Sequence, residues 1–241
     1  MQPEAGKPFE NSLGMKFVAV GPAKVLFAIW DVRLQDFEPF ASTTGISKIA
    51  VKFEQGPTHP VVNVSWEEAQ DFCNWLTQKE RQAGRLGKTQ VYRLPTDNEW
   101  SIASGLAEPA EGSPESKDQS KDPSKDRQIK DVFPWGTTWP PQKGAGNYDP
   151  ILGTDTFLGT SPVGSFAANK YGLFDMGGNV WQWCEDFIDG VSGARVVRGA
   201  SYFNSAVNNL VLFRRDSYDA NIHSALVGFR VVIADTGGAA L

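Results

Sequence analysis

Four residues could carry redox or metal chemistry through sulfur or imidazole: Cys73, Cys184, His59 and His223. Zinc and related centres recruit such side chains in closely spaced pairs, and these four are scattered along the chain. Two cysteines cannot staple a disulfide-rich fold, so Cys73 and Cys184 either pair with each other or lie as buried thiols. His59 stands before Pro60 and reads as a loop-ordering residue. Asp31, Asp36, Asp97 and Glu99 offer carboxylates for acid–base work. Asp97 and Glu99, however, fall in the first turn of an expected helix, where the dipole and capping favour negative charge without any catalytic role. No glycine-rich loop of phosphate-binding form occurs in the sequence.

A different chemistry is concentrated near the C-terminus. Tyr202, Phe203, Phe213 and Tyr218 supply rigid aromatic area, and Asn204, Asn208, Asp216, Asn221 and Ser224 supply adaptable hydrogen bonding. Arg214 and Arg215 add planar charge, and His223 lies in the same run. This mixture resembles a paratope and predicts a recognition loop for a protein or glycan ligand. Phe213 and Leu210 are expected in the core beneath it. After Glu185 the chain contains no Lys, Glu, Gln, Met or Trp, a bias that runs through the loop and on to Leu241.

The elements that must carry this loop are legible in part. Met15 to Val20 and Val25 to Trp30 read as strands separated by Gly21 and Pro22. Leu34, Phe37 and Ala41 follow helical spacing, with Gly45 as the stop. Ser65 and Glu68 form a capping box before a helix that presents Trp66, Ala69, Phe72, Cys73 and Leu76 on one face. Thr96 and Glu99 open a second helix that packs Trp100 and Ala103. Short strands are expected around Arg195 to Arg198 and Phe229 to Ile233, the last pairing with the N-terminal strands. Residues 107–131 mix both charges and lack a large apolar residue before Ile129, which predicts a flexible surface insertion within one domain spanning 1–241.

The chain has 241 residues, 41% hydrophobic, enough for one large core. A net charge of −5 argues against a nucleic-acid partner, whose footprint is basic. No apolar run is long enough to insert in a membrane as a helix. Residues 1–11 are polar and lack a charged-then-apolar leader pattern, so the expectation is a cytoplasmic protein or a domain excised from a larger one. Eight Trp with 24 Gly and 15 Pro point to aromatic packing around many turns.

A series of segments resembles the formylglycine-generating-enzyme (sulfatase-modifying factor) family. They are Asn11-Ser-Leu-Gly-Met-Lys-Phe-Val18, His59-Pro-Val-Val-Asn-Val-Ser-Trp66, Arg93-Leu-Pro-Thr-Asp-Asn-Glu-Trp100 and Phe133-Pro-Trp-Gly136. Tyr171-Gly-Leu-Phe-Asp-Met-Gly-Gly-Asn-Val-Trp-Gln-Trp183, Arg198-Gly-Ala-Ser201 and Gly228-Phe-Arg230 complete the series, in the family's order. The resemblance implies an α+β, C-type-lectin-type fold, loop-rich with little regular secondary structure. It leaves function open, because that family includes copper-dependent oxidases that convert cysteine to formylglycine, iron-dependent sulfoxide synthases, kinase-fused domains and variable proteins of diversity-generating retroelements.

Each branch makes a demand on this sequence. The oxidases hold copper with two cysteines between the last two motifs; here Asn204 and Asn208 or Asn209 stand near those positions, and no cysteine lies between Ser201 and Val227. The iron branch uses three histidines, and the chain has two. Neither copper nor iron is therefore expected. The resemblance also implies two structural calcium sites made of oxygen donors. The first maps onto Asn147, the Tyr148 carbonyl, Asp155 and the Phe157 carbonyl; the second onto Asp175, the Gly178 and Val180 carbonyls, and Gln182, where the family usually has Glu. Asx turns without metal are the alternative. In retroelement-variable proteins the diversified stretch lies between Arg-Gly-type and Gly-Phe-Arg motifs, as the Ser201–Gly228 stretch does here. Its residue types can all be encoded by pyrimidine-ending codons. The expectation is a non-catalytic ligand-binding domain with its surface in 201–227. A formylglycine-generating oxidase and a regulatory domain of a larger protein such as a kinase are the alternatives.

Overall fold

Near-continuous apolar runs build the opening hairpin. Strand β1 (Phe9–Glu10) pairs with β2 (Lys16–Val20), which pairs antiparallel with β3 (Val25–Ala28), placing Val20 opposite Val25. All four residues of β3 are buried, so this strand is central rather than half-exposed. The computed structural model describes residues 2–46, 50–107, 111–118 and 132–237.

Helix α1 (Leu34–Thr44) ends where Gly45 adopts φ 75°, a left-handed cap that a side chain would strain. Helix α2 (Trp66–Gln82) starts at the expected capping box: Ser65 Oγ accepts from Glu68 N–H at 3.1 Å, and Glu68 Oε2 accepts from Ser65 N–H at 2.9 Å. Its buried face is Ala69, Phe72, Cys73, Leu76, Thr77 and Glu80. Phe37 and Phe72 stack at 5.6 Å, and Phe229 meets both rings edge-on. Strand β4 (Gln90–Arg93) leads into α3 (Asp97–Ser104), capped by Thr96 and Glu99 as expected.

Two sheets share one apolar core. The second contains β5 (Trp181–Phe187), β6 (Arg195–Arg198), β7 (Asp216–Tyr218) and β8 (Val227–Phe229), in the order β7-β6-β5-β8. Strand β9 (Val232–Asp235) lies between β3 and β4 in the first sheet, so the last strand does pair with the N-terminal strands, through β3. The single closing strand expected over 229–233 is two strands. The chain leaves one sheet at Phe229 and enters the other at Val232. Apolar residues on both sides of Arg230 hide the crossover, because periodicity cannot mark a break inside a fully buried segment. Arg230 is buried at the crossover, donating to the carbonyls of Ala28 at 2.8 Å and Phe174 at 2.5 Å.

The charged insertion is anchored where it is described. Helix α4 (Pro114–Lys117) buries Pro114, Glu115 N–H donates to the Ile188 carbonyl at 2.8 Å, and Asp118 is buried against Arg214 at 3.2 Å. Glu111, Gly112, Glu115 and Ser116 are exposed, while Pro114 and Asp118 are buried, the latter because a guanidinium meets its carboxylate. Residues 108–110 and 119–131 of the expected flexible segment lie outside the described residues.

Candidate functional site

Residues 201–227 run along the edge of the second sheet and then over the start of α2. What they can do is decided by which side chains the scaffold consumes. Leu210, Val211, Leu212 and Phe213 are core, as expected for Leu210 and Phe213. Arg215, grouped with the planar charges of a recognition surface, is buried instead. Its Nη2 and Nε bond the Asp97 carboxylate at 2.9 and 3.1 Å, and its Nη1 donates to the Phe213 carbonyl. Arg198 bonds the same carboxylate and stacks over Trp100 at 4.4 Å. Burial alone would raise the Asp97 carboxyl, and the two guanidiniums outweigh it, holding Asp97 below the usual carboxylate range. Asp97 is thus more than a helix-start charge.

The other loop residues divide in the same way. Asn204 Oδ1 accepts from Ser201 N–H and Oγ, each at 2.9 Å, and so holds the turn that presents Phe203. Arg214 reaches Asp118 and Asp216, both at 3.2 Å. Tyr218 is half-buried, edge-on to Trp183 at 6.2 Å. His223 Nε2 lies 3.0 Å from Glu68 Oε2, tying the loop to the α2 cap. Tyr202 packs edge-on against Phe53 at 5.3 Å. Phe203, at 66% exposed, with Asn208 and Asn221, faces solvent.

Neighbouring loops widen this face. The Asn204 carbonyl accepts from Asp149 N–H at 3.2 Å, which sets the Phe203 turn beside the turn carrying exposed Ile151. Phe53 also lines a cleft of about 740 Å³ with Lys52, His59, Phe157 and exposed Leu158. Sequence reasoning missed Phe53, Ile151 and Leu158, since isolated apolar residues in polar loops carry no periodic signal. His59 orders its loop as expected, with Nδ1 3.0 Å from Thr160 Oγ1.

The remaining chemical candidates are enclosed. Cys73 and Cys184 are free, buried thiols, and burial raises both above the normal thiol range. Asp36 is buried and paired twice with Arg33 at 2.8 Å. Asp31 is sealed, and neither carboxylate oxygen has a hydrogen-bond partner. Burial pushes it up to about 8 despite Arg230 at 3.7 Å. Among the described residues, no three His, Cys, Asp or Glu side chains cluster as metal ligands.

The two implied calcium sites differ in fit. At the first, Asn147 is buried and its Oδ1 has no partner, while Nδ2 donates to the Gly159 carbonyl at 2.9 Å. An orphaned amide oxygen near a carboxylate suits a hard cation. Asp155 meanwhile accepts from the N–H groups of Tyr148 at 3.1 Å and Phe157 at 2.8 Å, which closes an Asx-type turn. At the second, Gln182 does not fit. Its Oε1 accepts from Trp100 Nε1 at 2.9 Å and Arg230 Nε at 3.3 Å, and its Nε2 donates to the Asp175 carbonyl at 2.7 Å. A guanidinium on that oxygen excludes a metal ion there.

Residues 22–235 match the sulfatase-modifying factor enzyme 1-like domain. The chain is 30% identical over 196 residues to the formylglycine-generating enzyme of Streptomyces coelicolor, covering 72% of this chain and 52% of that one. It is 33% identical over 153 residues to the Bos taurus protein named inactive C-alpha-formylglycine-generating enzyme 2, covering 61% of this chain and 40% of that one. Treponema denticola variable protein 1 matches its fold with a TM-score of 0.63 at 19% identity, covering 96% and 92% of the two chains. The chain spans about a third to a half of the length of these curated relatives. Its motifs, loop-rich α+β architecture and family match agree: the chain belongs to the sulfatase-modifying factor enzyme 1-like domain family, on a C-type-lectin-type fold.

Proposed function

We propose that this chain is a non-catalytic ligand-binding domain whose recognition surface is the exposed part of the 201–227 segment. The observation that carries the reading is the fate of the position where the family's oxidases place a copper thiolate. By the resemblance Asn204 stands near one of the two such positions, and its amide oxygen is committed to Ser201 at 2.9 Å, holding a turn. The chain's two thiols are buried elsewhere. The same turn displays Phe203, with Asn208 and Asn221 exposed further along on a braced sheet edge. Aromatic and amide side chains on a rigid support suit a protein or glycan ligand. A relative named inactive supports a non-catalytic branch, and the variable-protein likeness of fold is consistent with display.

Calcium is part of the proposal at one place. Asn147 Oδ1, Asp155 and the carbonyls of Tyr148 and Phe157 would hold it, bracing the loop behind Phe203.

Retroelement diversification is the finer form of the reading, and sequencing this segment across a source population tests it. Substitutions at adenine positions falling on exposed residues between Ser201 and Gly228 are expected. Uniform sequence there removes diversification and leaves a dedicated ligand. Aldehyde formation on a cysteine-containing sulfatase peptide incubated with the protein, Cu(I) and oxygen would contradict the non-catalytic reading itself.

A further inference from the structure

A second cleft lies away from the 201–227 segment, between the Pro134–Trp135 loop, the Gly144–Gly146 turn and the Phe166–Gly177 run, with a volume of about 310 Å³. Its lining is mixed: Trp135, Phe166, Leu173 and Met176 supply carbon surface, and Asn169 and Asp175 supply polar groups. The two aromatic rings are fixed in place. Trp135 stacks on Phe133 at 4.8 Å with an interplanar angle of 4°, and its Nε1 donates to the Thr138 carbonyl at 2.9 Å. Phe166 rests edge-on against Phe157 at 6.4 Å.

One charged group lines the cleft. Asp175 is 7% exposed, and its Oδ2 accepts from Gly164 N–H at 2.8 Å. No hydrogen bond engages its Oδ1 among the described residues; burial pushes its carboxyl up, and Arg230, which is not among the lining residues, partly opposes that. The neighbouring Gln182 is spent on Trp100 and Arg230, so Asp175 lacks the partner ligand that a calcium ion would require. A nearly buried carboxylate with one oxygen outside any hydrogen bond, in a cleft lined in part by Trp135 and Phe166, attracts a cation that can also shed water against carbon surface. Organic ammonium and guanidinium ions do both, since their charge sits over a ring face while their carbon surface is buried. A hydrated metal ion satisfies only the first condition.

We infer that the cleft between Trp135 and Phe166 binds a small organic cation, an alkylammonium or guanidinium compound, with Asp175 as its counter-ion. The site is independent of the recognition surface proposed above.

Calorimetric titration of the wild-type protein with n-butylammonium, tetramethylammonium and butylguanidinium, against neutral 1-pentanol, tests the inference. The cations should bind at least roughly tenfold more tightly than pentanol, a difference of about 1.4 kcal/mol. Asp175→Asn and Phe166→Ala should each weaken cation binding by about tenfold, within the range of a lost ion pair or cation–π contact, and Phe203→Ala should leave it unchanged. Pentanol binding as tightly as the cations would overturn the inference by making the cleft a plain apolar crevice. Calcium competing with butylammonium, with both lost in Asp175→Asn, would overturn it in favour of a metal site. A lysine-containing peptide binding about tenfold more tightly than the free amine would overturn the small-molecule assignment. Should Asp175→Asn fail to fold, the wild-type comparison of cation and pentanol still decides.

Discussion

Arg215 donates from Nη2 to Asp97 Oδ2 at 2.9 Å, with both side chains buried, and this pair pins the middle of the C-terminal segment to the start of α3. Arg198 shares the carboxylate, so removing Asp97 takes one ion-pair partner from each of two buried guanidiniums. Asp97→Ala should cost about 3–5 kcal/mol in chemical denaturation, the usual penalty for removing one partner of a buried ion pair. A loss below about 1 kcal/mol would place the pair among exposed bridges and contradict the geometry.

Phe203 and Phe213 are ten residues apart in sequence and opposite in consequence. Phe213→Ala should destabilise by about 3–5 kcal/mol, since the ring is buried. Phe203→Ala should change stability by no more than about 0.5 kcal/mol, because its ring lies mostly in water. Thermal melts of the two variants check this contrast directly.

Asp31 makes stability depend on pH. Burial lifts its carboxyl from an ordinary 3.8 to about 8, with Arg230 opposing the shift and Asp175 adding to it. The folded chain then holds a proton that the unfolded chain has released. This contribution is full below pH 3.8 and is lost as pH rises through about 8. Asp31→Asn should flatten that decline in urea midpoints measured across the same window.

The thiols should be inert in the native state. Both are buried, and burial raises their pKa, so little thiolate forms at neutral pH. A thiol reagent should label Cys73 and Cys184 at the rate of unfolding, faster in urea. Rapid labelling of either in native buffer would show an accessible thiol where the packing has none.

Calcium should raise the melting temperature of the wild-type protein, and Asn147→Ala should abolish the increase. Asn147 Oδ1 is the orphaned acceptor that an ion would satisfy. Gln182→Leu should leave the calcium response intact while costing about 1–3 kcal/mol through the unpaired Trp100 and Arg230 donors.

Local chemistry explains what the sequence made legible. The caps at Ser65 and Thr96, the stop at Gly45 and the hairpin ahead of α1 each depend on a few adjacent residues, and all stand where expected. Long-range choices were not legible. Nothing near Arg215 reveals that Asp97, 118 residues away, will bury it. Likewise Asp118 looks like one more solvated charge until Arg214 is placed beside it. Within the proposed recognition segment, residue type suggests a kind of surface, but burial chooses what is outward: Phe203, Asn208 and Asn221 are exposed while Asn204, Arg214 and Arg215 hold the scaffold. The cleft around Asp175 escaped notice because its walls come from three separated loops.

The most direct test of the recognition surface is a paired capture from the native host's extract. One arm uses the wild-type protein, and the other a Phe203→Ala, Asn208→Ala, Asn221→Ala variant shown by its melt to be equally folded. The account predicts a protein or glycan retained by the wild type and lost from the variant. The same species retained equally by both would place recognition elsewhere on the molecule and contradict the account.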